Sequence, residues 1–125
     1  MKDLINTWGL YPWFNEDGGE LIHPEDIRQF TPNNTKVFHC IGLEDEYMIL
    51  QSATAQFRVN PENYKRLNVP LYRFRDQIVT NDQERIGEIH EIEWHYRDKE
   101  FIYYISVEGV NKTRRYKEHE LKRYE

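Results

Sequence analysis

Residues 86–107 read IGEIHEIEWHYRDKEFIYYISV, and this stretch decides the fold of the second half of the chain. Its apolar residues Ile92, Trp94 and Tyr96 alternate with charged or polar ones, which is the period of a half-buried β-strand. The dipeptide Asp98-Lys99 then provides a turn, and a second alternating run follows it. The stretch therefore predicts a β-hairpin.

An internal repeat extends this reading to the whole chain. When the chain is shifted so that position 115 lies over position 58, chemically similar blocks coincide: 47–51 with 104–108, 58–59 with 115–116, 64–67 with 121–124, and 21–22 with 78–79. The match is poor between residues 37 and 46, which predicts hairpins of different length in the two halves. Because proline ends a preceding helix, Leu67-Asn68-Val69-Pro70 marks a boundary, and we expect units at 1–68 and 69–125.

Each unit is expected to contain short strands and a helical turn. In the second unit the predicted strands are 72–80, 86–96, 101–108 and 112–116, followed by a helical turn over 118–124. In the first unit Asn60-Pro61-Glu62 has the residues of a helix start, with Asn as N-cap and Pro at the first helical position. A second short helix is expected just after Pro24-Glu25-Asp26.

Composition limits the class of protein. The chain has 125 residues, with 17 Lys and Arg against 22 Asp and Glu, a formal charge of −5. Cys40 is the only cysteine, which excludes an intrachain disulfide and a Cys-based zinc site. No apolar run approaches the ~18 residues of a membrane helix, and the first residues lack the layout of a secretory signal. We expect a soluble, cytoplasmic protein without a membrane partner.

Several strands in about 55 residues, with frequent turns, predict a small open barrel in each half. The second half resembles the SH3-like barrels of Tudor and KOW modules in four segments: Ile86-Gly87-Glu88-Ile89, Trp94-His95-Tyr96, Tyr103-Tyr104 and Arg114-Arg115-Tyr116. The chain also resembles uncharacterised bacterial proteins with an early Pro-Glu-Asp segment and a Trp-His-Tyr strand. The expected fold is mainly β, with two tandem SH3-like barrels and short helical turns packed as one compact body. A single α+β domain is the alternative.

The resemblance implies binding rather than catalysis, with ligands that range from peptides to RNA. The residues themselves offer little chemistry. The segment that begins at His90 fails as a zinc-protease motif because position 94, where the second histidine would stand, is Trp. Cys40 lies between apolar neighbours and is read as a buried small residue. We expect no metal, no cofactor and no enzymatic activity.

The most suggestive group combines aromatic and basic side chains. Exposed rings and guanidinium groups on a small barrel can hold a peptide or stack on bases. The candidate binding residues are Trp94, Tyr96, Tyr104, Lys112, Arg114, Arg115 and Tyr116. The competing interpretation is that the rings fill the core. Strand parity predicts that Tyr104 faces away from Tyr103.

The expected function is a non-catalytic binding or adaptor module that recognises a protein partner. Nucleic-acid binding through the basic residues of segment 112–123 is the alternative, with a small hydrolase or nuclease using His95 or His119 as a further one. The net charge favours protein over nucleic acid. On this reading Arg114→Glu with Arg115→Glu abolishes partner capture while leaving thermal stability nearly unchanged.

Overall fold

The computed structural model describes residues 1–125 and divides the chain into two compact units, Met1–Val69 and Pro70–Glu125. All regular structure consists of antiparallel strands and short 3-10 turns. The prediction of a mainly β fold is confirmed. The α+β alternative is wrong because the chain forms no α-helix.

Unit 1 is built on a five-stranded sheet. Its strands are β1 (Trp8–Leu10), β2 (Val37–Glu44), β3 (Tyr47–Gln51), β4 (Gln56–Val59) and β5 (Lys65–Leu67). Their order across the sheet is β4-β3-β2-β1-β5. Three consecutive strands thus form a meander from β2 to β4, and the last strand returns to pair with the first.

Unit 2 repeats this arrangement. Its strands are β6 (Gln77–Thr80), β7 (Ile86–His95), β8 (Glu100–Val107), β9 (Val110–Asn111), β10 (Tyr116–Lys117) and β11 (Leu121–Arg123). Their order is β10-β8-β7-β6-β11, with β9 also paired to β8. In neither unit do the two outer strands pair, so neither sheet closes into a barrel by its hydrogen bonds.

The helical turns stand at equivalent places. The turn Pro61–Asn63 precedes β5 in unit 1, and Glu118–Glu120 precedes β11 in unit 2. The first of these begins as the sequence predicts, since the Asn60 side chain accepts a 2.9 Å hydrogen bond from the Glu62 amide. The remaining turns are Lys2–Leu4, Asn15–Asp17, Gly19–Leu21 and Ile27–Gln29.

The register of the sheets tests the repeat. The bulges after Cys40 in β2 and after Ile89 in β7 align the two sheets and make Met48 equivalent to Tyr103. Val59 pairs with Met48 and Tyr116 pairs with Tyr103, so the predicted shift, which places Tyr116 over Val59, holds for β4 and β10. It also holds for the closing strands, where residues 65–66 and 122–123 occupy the same register.

The predicted shift fails elsewhere for structural reasons. In β3 and β8 the register makes Tyr103 equivalent to Met48, a smaller shift, because the chain from Tyr103 to Tyr116 is longer than the chain from Met48 to Val59. The predicted match of 21–22 with 78–79 is wrong: Ile22 forms a bridge with Val59, whereas residue 78 lies in β6. The expected difference in hairpin length is confirmed, since the β7–β8 turn is longer than the β2–β3 turn.

Three of the predicted elements of unit 2 are shorter or different. The strand expected over 72–80 covers only Gln77–Thr80, because Arg75 has a positive φ of 71° and Asp76 accepts a 2.8 Å hydrogen bond from the Arg73 amide. The segment expected as one strand over 112–116 contributes only Tyr116 to β10. The helical turn expected over 118–124 ends at Glu120, and the residues after it form strand β11.

Burial follows the predicted strand parity of the hairpin only in part, because Ile102, which shares the face of Tyr104, is also buried. Ile89, Ile92, Tyr103 and Ile105 are fully buried, whereas Tyr104 is only half-buried. The Tyr72 ring packs edge-on against Tyr103, with ring centroids 5.4 Å apart. In unit 1 the buried cluster consists of Tyr11, Trp13, Leu21, Ile22, Phe30, Phe38, Cys40, Met48, Leu50, Phe57 and Val59. None of the 3-10 turns has the length and apolar character that crossing a bilayer requires.

Gly9 is a position in unit 1 where the surrounding backbone leaves no room for a side chain. It lies in β1 between β2 and β5, opposite Phe38 and Arg66. A Cβ built there would collide with the Lys65 carbonyl oxygen and lie 2.6 Å from Cε1 of Tyr64. The backbone of β5 and the tyrosine ring thus require glycine at this point.

We predict that Gly9→Ala destabilises the protein by about 1–3 kcal/mol, the usual cost of overpacking, because strand β5 must move to admit the methyl group. Thermal denaturation followed by circular dichroism measures the effect. Gly42→Ala is the control, since its Cβ would meet only Ile49 Cδ1 at 3.9 Å. Equal stability of the two variants would contradict the packing described for β1.

Candidate functional site

The structure places the predicted aromatic residues in different environments. Trp94 is half-buried, and its ring packs edge-on against Phe101 at 5.1 Å. Tyr96 lies in the turn after β7 and is 47% exposed. Tyr116 is only 4% exposed and pairs with Tyr103, so its ring belongs to the core and is not available as a surface anchor.

Arg114 is held within unit 2. Its guanidinium donates to Asp82 Oδ2 at 2.6 Å and to Glu120 Oε2 at 3.5 Å, and it lies 4.6 Å above the Tyr116 ring. The hydrogen bond from Arg114 lowers the pKa of the Asp82 carboxyl. Arg114 therefore links the β6–β7 turn to the 3-10 turn before β11. A glutamate at position 114 would face two carboxylates, so the double Arg→Glu variant would disturb the fold as well as the surface.

Tyr104 occupies the opposite face of β8 from Tyr103. Its phenol donates a 3.0 Å hydrogen bond to Glu93 Oε1 on the neighbouring strand. Burial is the main reason that the pKa of Tyr104 is raised, and the contact with Glu93 adds to it. The phenol thus stays protonated and remains a hydrogen-bond donor to the Glu93 carboxylate.

Arg115 differs from its neighbour because its side chain has no hydrogen bond and no ion pair. It is exposed, directly precedes β10, and lies near enough to Tyr104 for its charge to act on the phenol. The Lys112 side chain is also without an ion pair, and its amide donates to the Ile105 carbonyl at 2.9 Å. We call Tyr104, Lys112 and Arg115 the β10 surface.

The residue equivalent to Arg115 in unit 1 is Arg58, which the sequence repeat matched but to which it gave no role. Arg58 Nε lies 2.9 Å from Asp26 Oδ2, Nη2 lies 3.1 Å from Asp26 Oδ1, and Nη1 lies 3.0 Å from Glu44 Oε2. The Arg58 amide also donates to Asp26 Oδ2 at 2.8 Å. The two-pronged contact matches the planar fork of a guanidinium to both carboxylate oxygens.

These contacts shift the ionisation of both groups. The hydrogen bond from Arg58 holds the pKa of Asp26 below its ordinary value, and Asp26 together with Glu44 raises the pKa of Arg58. The sequence singled out Pro24-Glu25-Asp26 but did not pair it with an arginine. Because Asp26 and Arg58 are far apart along the chain, no periodic signal links them. The only sequence signal for this contact was the match of Arg58 with Arg115 in the repeat.

The remaining reactive side chains do not form a second site. Cys40 is fully buried, as expected, and burial raises the pKa of its thiol. The His39 ring stacks on Trp8 with centroids 4.3 Å apart, and its Nε2 lies 2.7 Å from Asn6 Oδ1. No three His, Cys, Asp or Glu side chains are grouped so that they could hold a metal ion.

The chain matches one protein family. Residues 1–122 match the family of unknown function DUF6960. The chain belongs to this family. Neither the curated proteins nor the solved structures include a significant match. The DUF6960 match spans both units and carries no activity.

We predict that Asp26→Asn lowers the thermal midpoint by several degrees at neutral pH, because it removes the carboxylate that binds Arg58. The folded-state pKa of Asp26 is depressed, so its stabilising effect is complete above the unfolded value of about 4. That effect is lost as the pH falls through the lower folded-state pKa. The difference in midpoint between wild type and variant should therefore shrink in acid.

Glu25→Gln is the matched control. The Glu25 side chain is 75% exposed and its Oε2 lies 3.7 Å from Arg58 Nη2, so its loss should matter little. If Glu25→Gln lowered the thermal midpoint as much as Asp26→Asn does, the role given to Asp26 would be contradicted.

Proposed function

We propose that this protein is a non-catalytic binding module that recognises a protein partner through the β10 surface. The observation that carries the proposal is the state of Arg115, an exposed guanidinium with no partner in the chain. Its equivalent Arg58 is bound by the carboxylates of Asp26 and Glu44. Arginine beside a partly exposed tyrosine is the composition typical of interface anchors.

The strand order supports an SH3-like architecture for each unit. Such a barrel is a meander whose last strand, preceded by a 3-10 turn, returns to the first, and both units follow this order. We propose that the units are open members of this class, in line with the resemblance of the sequence. A shared fold does not fix a function, so the architecture supports only the kind of role proposed.

Charge favours a protein partner over a nucleic acid. The chain carries a net charge of −5, and Glu91 lies opposite Tyr104 on β7, with Glu93 further along that strand. These carboxylates border the β10 surface and would repel a phosphate backbone. A protein segment with a single acidic residue meets less repulsion at Arg115 than a chain of phosphates does. A cytoplasmic location, suggested by the lone buried cysteine, forms part of the same proposal.

The contacts of His95 are those of a turn. Its Nδ1 accepts a 3.1 Å hydrogen bond from the Asp98 amide and lies 3.4 Å from Asp98 Oδ2, while His119 lies in the 3-10 turn before β11. A hydrolase would need such groups to converge with carboxylates around one reacting atom.

The test is affinity capture from cell lysate, with and without nuclease, comparing wild type with Arg115→Glu combined with Lys112→Glu. We expect a nuclease-resistant protein partner that the double variant loses, while its thermal midpoint stays within a few degrees of wild type. Arg85→Glu is the matched control, because Arg85 is an exposed arginine of unit 2 in the β6–β7 turn.

Three results would speak against the proposal. Equal capture by wild type and the double variant would move binding away from the β10 surface. A partner released by nuclease would favour the nucleic-acid alternative. Unfolding of the double variant would mean that these side chains are structural.

A further inference from the structure

The outer edge of strand β4 in unit 1 is covered by the chain itself. The segment of residues 21–26 lies along this edge, where Ile22 forms an antiparallel bridge with Val59. The His23 amide donates to the Arg58 carbonyl at 2.9 Å, and the Asn60 amide donates to the Leu21 carbonyl at 2.8 Å. The segment thus satisfies edge groups that would otherwise face solvent.

Asp26 ends this covering segment. Its carboxylate takes three donors from Arg58: the backbone N–H, Nε and Nη2. One residue of β4 therefore offers a carbonyl, an amide and a guanidinium to the same neighbouring segment. In unit 1 this edge thus binds a chain that forms one bridge at Ile22 and then turns, with the Asp26 amide donating to the His23 carbonyl at 2.9 Å, so that the Asp26 carboxylate reaches Arg58.

Unit 2 lacks the segment that would do the same. The connection between β1 and β2 spans residues 11–36, whereas the connection between β6 and β7 spans only residues 81–85. The shorter connection leaves Arg115 at the edge of the sheet without a covering chain. Beyond Arg115, the Lys117 amide is already bound, since it donates to Glu120 Oε1 at 2.9 Å.

The orientation of the Arg115 backbone follows from the register. In an antiparallel edge strand, alternate residues point their N–H and C=O groups away from the sheet. Tyr116 is equivalent to Val59, so Arg115 is equivalent to Arg58, whose amide and carbonyl both point outward. The Arg115 amide and carbonyl are therefore expected to face outward as well.

The residue of unit 2 that is equivalent to Glu44, the second carboxylate bound to Arg58, has a different partner. Glu44 binds Arg58, and its equivalent by register is Glu93. Glu93 instead accepts the hydrogen bond from Tyr104. Arg115 thus lacks both of the carboxylates that Arg58 has, although its place in the sheet is the same.

We propose that the edge of β10 binds a short segment of a partner protein that pairs with the edge and then turns to present an aspartate or glutamate. Its carboxylate takes at Arg115 the place that Asp26 takes at Arg58 and accepts from the Arg115 backbone N–H and guanidinium, while a backbone amide of the segment donates to the Arg115 carbonyl. This is a short backbone pairing at a sheet edge, fixed in register by one charge-assisted contact. The inference rests on the proposed function and specifies which partner chemistry the β10 surface selects.

The probe for this inference is a peptide copy of residues 19–28, GELIHPEDIR, acetylated and amidated at its ends. It is titrated into the 15N-labelled full-length protein, and amide shifts are followed by NMR. We expect shifts centred on Arg115 and its neighbours in segment 112–117. Replacing the peptide's aspartate by asparagine, or Arg115 by Gln, should weaken binding about fivefold, the upper range for an exposed ion pair.

Arg85→Gln is the control protein, since it removes the same charge from unit 2 away from β10, and it should bind the peptide as wild type does. Shifts confined to unit 1 would mean that the peptide merely competes with the chain's own segment, and would overturn the inference. Binding that is indifferent to the aspartate would also overturn it.

The outcomes separate this inference from the proposed function. If the peptide causes no shift at millimolar concentration while the Arg115/Lys112 double variant still loses its captured partner, the carboxylate inference is wrong and the binding role stands. If a short oligonucleotide shifts segment 112–117 and the peptide does not, both are wrong.

Discussion

The bond between Arg58 and Asp26 is the interaction on which the organisation of unit 1 depends. It fastens the connection of residues 11–36, which has no regular strand of its own, to the edge of a small sheet. Without that fastening, β4 would present an open row of hydrogen-bonding groups. The same connection supplies Tyr11, Trp13 and Phe30 to the buried cluster, so covering the edge and completing the core are achieved by one segment.

Unit 2 completes its core without a segment that covers the edge of its sheet. Its core is completed by rings that come from the sheet and from the segment before it, with Tyr72 packed on Tyr103. The edge beside Arg115 is left uncovered, and Arg114 turns inward over Tyr116 to meet Asp82. Two adjacent arginines thus differ in their contacts: Arg114 is bound to Asp82 and Glu120 within the unit, whereas Arg115 is exposed and has no ion pair.

Much of the fold could be predicted because it depends on local patterns. Alternation across residues 86–107 identified the hairpin, and Asn60-Pro61 identified a turn start. The internal repeat placed Arg58 on Arg115 correctly. The strand expected over 72–80 failed because a positive φ at Arg75 is a tertiary feature that composition does not signal.

The candidate site was predicted less well, since it depends on long-range contacts. Sequence alone could not distinguish Arg114 from Arg115, because the partner of Arg114 lies in a distant turn, at Asp82. Tyr116 looked like a surface ring until its pairing with Tyr103 placed it in the core. The difference between the two units, one edge covered and one open, depends on the pairing of residues 21–23 with β4, which no local sequence pattern indicates.

Hydrogen exchange at two backbone amides tests this difference most directly. The Arg58 amide donates to Asp26, so we expect strong protection that follows the stability of unit 1. We expect the Arg115 amide to exchange nearly as fast as in an unstructured chain. Comparable protection of both amides in the isolated protein would show that the β10 edge is already covered, and would contradict an open edge at Arg115.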